Sequence, residues 1–267
     1  MKGRQRPGRF LFCAMLLSSV TIAADDDSPY LASIAIERAP GAADVLGATL
    51  QSVLHVNDSS KTAHFLSNVE GLEVIASDGD TVTVRYIEKP TVVGNPAGRY
   101  EQSTWVVDFN EEAVQELVDD LAAGLEAAPS IDELEGYVYE FITDKTYSRA
   151  FDLASQVAAS GAGDCTEHAV LLAALARANG FQARVAFGNL IIDTDAGLFA
   201  FGHAWTEIHD GEQWQIRDAT LPGKDPMAKQ LRYLPIAILA DEGPGYVLSM
   251  LEAVSTMPIR ISGVANP

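Results

Sequence analysis

The stretch Gly163-Asp164-Cys165-Thr166-Glu167-His168-Ala169 marks the beginning of a helix. Asp164 is a typical N-cap residue, and Glu167 three positions later completes a capping-box pattern. The Ala- and Leu-rich run that follows is strongly helix-forming until Gly180 ends it. The sequence therefore predicts a helix with Cys165 in its first turn.

This position gives Cys165 a candidate chemical role. The backbone N–H groups and the positive dipole end at a helix start favour the thiolate, which is the nucleophilic form of cysteine. The alternative is a small buried apolar residue, which is a common role of free cysteine. A base close to the sulfur would favour the nucleophile over that alternative.

A candidate base lies downstream, in a predicted β-hairpin over residues 201–218 that folds at Asp210-Gly211. If these two residues form the turn, His203 lies directly opposite Asp218, whose carboxylate can accept the imidazole N–H and fix its tautomer. A one-residue bulge would put the two side chains on opposite faces. The chain order Cys165, His203, Asp218 is that of nucleophile, base and orienting carboxylate in thiol acyl transfer.

The sequence resembles the transglutaminase-like superfamily over about residues 130–222. The motifs that carry the resemblance are Gly163-Asp164-Cys165-Thr166-Glu167-His168-Ala169, Arg177-Ala178-Asn179-Gly180-Phe181-Gln182-Ala183-Arg184-Val185, Gly202-His203-Ala204-Trp205-Thr206-Glu207 and Asp218-Ala219-Thr220. The resemblance implies an α+β, papain-like cysteine-proteinase fold in which the helix bearing the Cys packs on an antiparallel sheet bearing the His and the Asp. It also implies that Cys165 is the nucleophile, His203 the general base and acid, and Asp218 the orienting carboxylate.

The expected function follows from that family. Its members include transglutaminases, cysteine peptidases and amidases that act on glycosylated asparagine. The resemblance thus implies attack on an amide of a protein or peptide substrate through a thioester, which water or an amine then resolves. Hydrolysis and crosslinking both stay open, and so does the alternative of a non-catalytic periplasmic binding or assembly protein that retains the fold.

The N-terminus has the pattern of a secretory signal peptide over residues 1–24. A basic segment precedes the apolar run Phe10 to Val20, and small residues end at Ala24, before three aspartates. The apolar run is well short of the ~20 residues that a membrane-spanning helix needs. We therefore predict cleavage after Ala23 or Ala24, no stable membrane insertion, and export to the periplasm or the medium, as from a Gram-negative bacterium. Cleavage removes Cys13 and leaves Cys165 as the only cysteine.

The mature chain is predicted to have two parts. Residues 25–109 form a β-rich region, with strict alternation over 81–86 after a turn at Asp78-Gly79 and a further candidate strand over 103–109. Residues 110–267 form the catalytic domain, which begins with a helix over 111–124 capped by Asn110 and a second helix from Ser130 to about Thr143.

The charge balance excludes one class of partner. The chain has 18 Lys and Arg against 37 Asp and Glu, a net charge of −19. Four of these basic residues lie in the predicted signal peptide, so the mature count is 14 − 37 = −23. Such a surface repels phosphate backbones, and we expect no nucleic-acid partner.

The remaining polar residues add no further site. His168, one turn after Cys165, suggests a Cys-x-x-His zinc site, but a structural zinc site needs four ligands and would leave Asp218 without a role. We therefore expect no metal and no cofactor. Gln156 is a weak candidate for a second oxyanion donor, and the predicted site does not include it. The acidic stretch 193–197 is expected to be a solvated turn.

Overall fold

The computed structural model describes residues 32–94, 99–145, 151–221 and 228–267. The predicted signal peptide, residues 1–24, lies outside these ranges. No helix in the described ranges is both long enough and apolar enough to cross a bilayer.

Within those ranges the chain contains strands and helices that occur mostly in consecutive runs of one kind. The strands are β1 Ala32–Arg38, β2 Leu50–His55, β3 Val69–Asp78, β4 Thr81–Val92, β5 Gln182–Thr194, β6 Gly197–His209, β7 Trp214–Arg217, β8 Ala228–Ile238 and β9 Arg260–Ala265. The helices are α1 Ser59–Leu66, α2 Glu112–Ala123, α3 Ile131–Phe141, α4 Ala154–Ser160, α5 Cys165–Ala178 and α6 Tyr246–Ser255. This mixed composition confirms the predicted α+β class.

One sheet runs through both predicted parts of the chain, in the order β3-β4-β2-β9-β1-β6-β5-β8, with β7 paired to β6. The C-terminal strand β9 lies between β2 and β1, antiparallel to the first and parallel to the second. β1 in turn pairs antiparallel with β6 and joins the two halves of the sheet. The domain division between residues 109 and 110 stays a prediction. The sheet contains strands from before and from after this predicted boundary.

Two apolar cores lie against this sheet. The first surrounds α5 and includes residues of α2, α3, α4, β5 and β6. The second, formed by β2, β4, β9 and the ends of β5 and β8, includes Leu54, Val84 and Ile261, all with no exposed surface.

Helix α5 packs on β5 and β6 because alternate residues of both strands are apolar and lie on the same face. Phe187 pairs with Ala204 across the two strands, and both belong to the core around α5. Thr206, two positions further on, donates its hydroxyl to the Ala169 carbonyl of α5 at 2.9 Å. A Cys-bearing helix packed on an antiparallel sheet is the arrangement expected from the sequence.

The local predictions differ in how well they hold. α3 begins after Ser130, as predicted, and ends at Phe141, two residues before the predicted end. The Ser130 side chain accepts the Glu133 N–H in a capping box. α2 begins one residue later than predicted, with Glu111 at its N-cap position and not Asn110. The region predicted to be β-rich also contains α1, which Asp58 caps by accepting the Lys61 N–H.

The predicted strand over residues 103–109 is wrong. Val106 and Val107 are buried, as in a strand, but they do not pair with a neighbouring strand. The Val106 N–H donates to the backbone carbonyl of Glu242, and the Val107 N–H donates to the Thr104 hydroxyl. Asp108 accepts hydrogen bonds from the backbone and the hydroxyl of Ser155 at the start of α4. Irregular backbone thus satisfies these polar groups without a strand partner.

Candidate active site

The first turn of α5 is held by a network of carboxylates. Asp164 accepts the Thr166 N–H at 2.8 Å and the Thr166 hydroxyl at the same distance, as an N-cap residue does. Glu167 accepts the Asp164 N–H at 3.0 Å and the Asp152 N–H at 3.1 Å. Gly163 is needed beside it, because a Cβ there would lie 2.2 Å from the Glu167 Cβ.

Cys165 lies against a gap in the pairing of β6. One edge of β6 is covered by β5 along its whole length. On the other edge, β1 pairs with residues 200–202 and β7 with residues 206–209. Ala204 lies between these two pairings, and its backbone N–H lowers the pKa of the Cys165 thiol. The thiol is therefore influenced by the strand residue that follows His203.

His203 and Asp218 are in contact, as predicted. The His203 Nε2 and the Asp218 Oδ2 are 2.8 Å apart, and both side chains are buried. The predicted register, however, is wrong. β6 and β7 pair His209 with Trp214 and Thr206 with Arg217, because the loop contains four residues, Asp210 to Gln213, and not two.

The predicted contact between His203 and Asp218 is present in spite of the wrong register, because the register error is two residues. The observed pairs sum to 423, as in 206 + 217 = 423, whereas the predicted His203 and Asp218 pair sums to 421. A shift of two residues keeps a side chain on the same face of the sheet, since strand side chains alternate with a period of two. Asp218 follows the last residue of β7 and reaches His203 diagonally.

Asp218 also has partners that the sequence analysis missed. The Tyr233 hydroxyl on β8 donates to Asp218 Oδ2 at 2.7 Å, and the Thr220 N–H donates to Oδ1 at 3.0 Å. Glu135 on α3 accepts the Asp218 N–H at 2.6 Å. Burial alone would raise the pKa of Asp218, but His203, Tyr233 and Thr220 together hold that pKa below its ordinary value. The carboxylate is therefore ionised and orients the imidazole.

The expectation of a stabilised Cys165 thiolate is wrong for this closed arrangement. The thiol has no exposed surface, and burial raises its pKa well above the ordinary value, with a further increase from the charge of Asp164. The Ala204 N–H lowers the pKa of Cys165, but it does not offset burial. The carboxylate that caps α5 offsets the positive helix end that the sequence analysis relied on.

Glu167 is also perturbed. Burial and the neighbouring charge of Asp164 raise the pKa of Glu167 to about 7. Its hydrogen bonds with the Asp164 and Asp152 N–H groups act in the opposite direction. A side chain that the sequence analysis treated as a capping residue is therefore an ionisable group next to the candidate nucleophile.

His168 follows Cys165 by one turn and is buried. Its Nδ1 lies 2.6 Å from the Asp164 carbonyl, which can only accept, so Nδ1 carries the proton. Burial lowers the pKa of His168, which keeps the ring neutral. In the described ranges, no three or more His, Cys, Asp or Glu side chains lie close enough together to hold a metal ion, so His168 is not part of such a cluster.

The other polar candidates lie outside the contacts around Asp218. Gln156 is exposed on α4, where its side-chain oxygen accepts the Leu153 N–H at 3.0 Å. Asp193 is buried and not solvated, because Arg38 and the Leu46 N–H bind its two carboxylate oxygens at 2.7 and 2.9 Å. Trp205 packs on Tyr233 with ring centroids 5.2 Å apart, so it is a sheet-packing residue.

Together the fold and this cluster define a class: a thiol-bearing helix placed on an antiparallel sheet beside a histidine and carboxylate pair. Residues 114–219 match the sequence profile of the Transglutaminase-like superfamily. Residues 114–219 are thus similar to that superfamily, and the resemblance noted in the sequence is confirmed.

Comparisons with individual proteins give more distant similarities. A structure from Cytophaga hutchinsonii, described as a candidate cysteine protease, is 15% identical with a TM-score of 0.46, over 72% of this chain and 77% of that one. The periplasmic domain of TgpA from Pseudomonas aeruginosa, bound to ethylmercury, is 16% identical with a TM-score of 0.43, over 72% of this chain and 83% of that one. No curated protein sequence matches significantly.

Proposed function

We propose that this chain is an exported enzyme that transfers acyl groups from amide bonds of a protein or peptide through a thioester on Cys165. One observation carries the proposal: the hydrogen bond between His203 and Asp218 lies next to the strand residue whose backbone N–H lowers the pKa of the Cys165 thiol. A buried histidine and carboxylate pair beside a single thiol matches the nucleophile, base and orienter geometry of acyl transfer.

The tautomer of His203 sets the direction of proton transfer. Because the ionised Asp218 accepts the Nε2 proton, the lone pair of the neutral ring is on Nδ1. The Cys165 thiol is neutral in the closed site, so Nδ1 removes its proton as the sulfur attacks the amide carbonyl. This is general-base attack, and it needs no thiolate in the resting enzyme.

The remaining steps complete the reaction. The C–N bond of the tetrahedral intermediate breaks, the protonated His203 gives its proton to the departing amine, and a thioester remains on Cys165. Water or a second amine then attacks the thioester, and His203 removes a proton from that nucleophile. The C–S bond breaks, the acyl product leaves, and His203 returns the proton to the sulfur of Cys165. The backbone N–H of Cys165 at the helix start is the natural donor to the oxyanion.

A second candidate function is supported by a different observation. Cys165 is fully buried and has a raised pKa, which is also what a structural cysteine shows. On this alternative the chain is a non-catalytic binding or assembly protein that retains the fold.

Turnover by matched cysteine variants separates the two functions. The substrates are N,N-dimethylcasein with a fluorescent primary amine, to detect amine transfer, and a peptide library, to detect released ammonia or cleaved peptides. We expect Cys165→Ser to lose at least about 10³-fold in rate, as removal of a catalytic nucleophile does. Cys13→Ser is the control and should keep full activity, because Cys13 lies in the predicted signal peptide.

The thioester gives an independent readout. Rapid acid quenching during turnover should trap an acyl adduct on the Cys165 peptide that hydroxylamine removes, as mass spectrometry can show. Absence of turnover and adduct with every substrate, combined with full rescue of a gene-deletion phenotype by Cys165→Ala, would favour the non-catalytic function. The proposed export is tested by N-terminal sequencing of the cell-envelope or secreted protein, which should begin at Ala24 or Asp25.

A further inference from the structure

A cavity lies away from Cys165, His203 and Asp218, between α1, the end of β4, β8 and α6. Its volume is about 470 Å³, within the range that holds small organic ligands. Its wall is mostly apolar and includes Phe65, Val92, Ile236, Ile238 and Ala253. Val93 lies at the cavity and is 58% exposed, so the cavity can be reached from solvent.

The charged residues around this cavity are mainly basic, in contrast to the chain as a whole. Lys61, Arg99 and Arg184 line it together with a single acid, Glu252. The Lys61 ammonium forms an ion pair with Glu252. These cations lie in a chain of net charge −19, so their clustering here is a local departure from its overall composition.

The positive charge of Arg184 is already compensated by a buried carboxylate. Its guanidinium pairs with Glu207 at 2.6 Å and lies 3.8 Å from the ring centroid of Trp214. Both side chains are almost fully buried. This pair forms a fixed part of the cavity wall.

Arg99 is different, because no carboxylate pairs with it anywhere in the described parts of the chain. Its Nη2 donates to the Ala240 carbonyl at 2.6 Å, and its guanidinium carbon lies 5.4 Å from the Tyr100 ring centroid. These contacts orient the planar group but do not neutralise its charge. A guanidinium binds a carboxylate through two parallel hydrogen bonds, so this orientation suits a carboxylate ligand.

We propose that this cavity binds a small apolar molecule that carries one carboxylate. The apolar body lies on Phe65, Val92 and Ile236, and the carboxylate pairs with Arg99. The same chemistry is offered by a free aliphatic acid and by the C-terminal carboxylate of an apolar peptide. This site does not depend on the proposed acyl transfer, because none of the three candidate catalytic residues lines it.

Titration calorimetry with matched probes tests the site. Decanoate and N-acetyl-Ile-Leu-Phe are the two carboxylates, and decanol and the corresponding peptide amide are their uncharged controls. We expect one of the carboxylates to bind with one-to-one stoichiometry and about tenfold or more tightly than its control, because a charge-assisted pair is worth about 1.5 kcal/mol or more. The acid that binds identifies the source.

Three variants localise the binding. Arg99→Gln should weaken the carboxylate by about tenfold and leave its uncharged control unchanged, and Val93→Trp should weaken both by filling the mouth of the cavity. Arg85→Gln is the matched control, because Arg85 pairs with Glu73 on β3 and does not line the cavity. Cys165→Ala should bind as the unmodified chain does, which keeps this test separate from that of catalysis.

Two results would overturn the proposal. One is no binding of either acid at millimolar concentration. The other is binding that Arg99→Gln and Val93→Trp both leave unchanged, which would place the ligand elsewhere.

Discussion

The two cores of the molecule differ in what they bury. The core of β2, β4 and β9 is mostly apolar. Its buried polar residues are Ser52 on β2 and Thr62 on α1, and the buried Asp193 of β5 binds Arg38 and the Leu46 N–H at its border. The core around α5 borders a dense set of buried polar and ionisable side chains: Asp164, Thr166, Glu167, His168, Arg177, His203, Thr206, Glu207, Asp218 and Thr220. Both cores lie on one continuous sheet.

This difference locates the chemistry. Burying an ionisable group costs free energy unless hydrogen bonds or an opposite charge compensate it, so an apolar core is the simpler way to stabilise a fold. Burying the polar groups around α5 costs free energy, and Asp164, Thr166, Glu167 and His203 among them form hydrogen bonds at the first turn of the helix or with Asp218. We infer that the apolar core supports the sheet and that the polar core contains the residues of the proposed reaction. Each prediction below would break or sharpen that separation.

The largest effect is expected for Asp218→Asn. An amide at this position replaces an acceptor by a donor, so His203 loses the partner that fixes its tautomer. We expect kcat/KM for the dimethylcasein reaction to fall by about 10³–10⁴-fold. Asp120→Asn, an exposed position whose carboxylate bonds Tyr137, should have little effect. Activity of Asp218→Asn within tenfold of the unmodified chain would remove Asp218 from the proposed site.

Leu54→Ala, in the apolar core, should have the opposite pattern of effects to Asp218→Asn: a loss of stability with no change in kcat/KM. Leu54 lies on β2 with no exposed surface and pairs with Val82 and Ile261 on the flanking strands. Its truncation should destabilise the chain by about 2–5 kcal/mol in urea unfolding. kcat/KM per folded molecule should stay unchanged, and Ile75→Ala, at an exposed position on β3, should cost less than about 0.5 kcal/mol. A fall in kcat/KM with Leu54→Ala would show that the two cores are coupled.

The structure around α5 could be predicted from sequence only where the residues that determine it lie close together in the chain. The start of α5 was predictable because Asp164, Glu167 and the helix-forming run lie within a few residues of one another. The contact between His203 and Asp218 was predictable in spite of the wrong loop length, because the error was an even number of residues. A one-residue error would have placed the two side chains on opposite faces.

The rest depends on contacts between distant parts of the chain. Tyr233 reaches Asp218 from β8, and β9 enters the sheet from the C-terminal end of the chain. No local sequence motif predicts either contact. The pKa of Cys165 is likewise a property of packing, because burial outweighs the helix end that its sequence position supplies. Sequence reasoning predicted the candidate reacting groups but not the burial that raises the pKa of Cys165.

A smaller effect is expected from Glu167→Gln, and it depends on pH. The pKa of Glu167 is raised from 4.5 to about 7 in the folded chain. The folded state therefore binds more protons than the unfolded state between these values, and Glu167 makes stability fall as pH rises through that interval. Relative to the unmodified chain, Glu167→Gln should gain on the order of 2 kcal/mol in unfolding free energy from pH 4.5 to pH 7.

Urea unfolding of both chains across this pH range checks the prediction. His168, whose pKa is lowered by burial, contributes with the opposite sign, but it is common to both chains and cancels in their difference. A difference that does not change with pH would mean that Glu167 has the same protonation in both states.

The smallest effect is expected for Tyr233→Phe, which removes one hydrogen bond from Asp218. The loss should cost about 1 kcal/mol of stability, which on its own would not distinguish a structural from a positioning role. The pH profile does distinguish them. The Tyr233 hydroxyl helps to lower the pKa of Asp218, so its removal raises that pKa and moves the acidic limb of kcat/KM to higher pH.

Leu234→Ala is the matched comparison, because Leu234 is the next residue on β8 and belongs to the apolar core. It should cost more stability than Tyr233→Phe and leave the acidic limb in place. If the limb moved equally in both variants, the shift would reflect general loosening of β8. If it moved only in Tyr233→Phe, the boundary between the two cores would fall between adjacent residues of a single strand, as expected where successive side chains lie on opposite faces of the sheet.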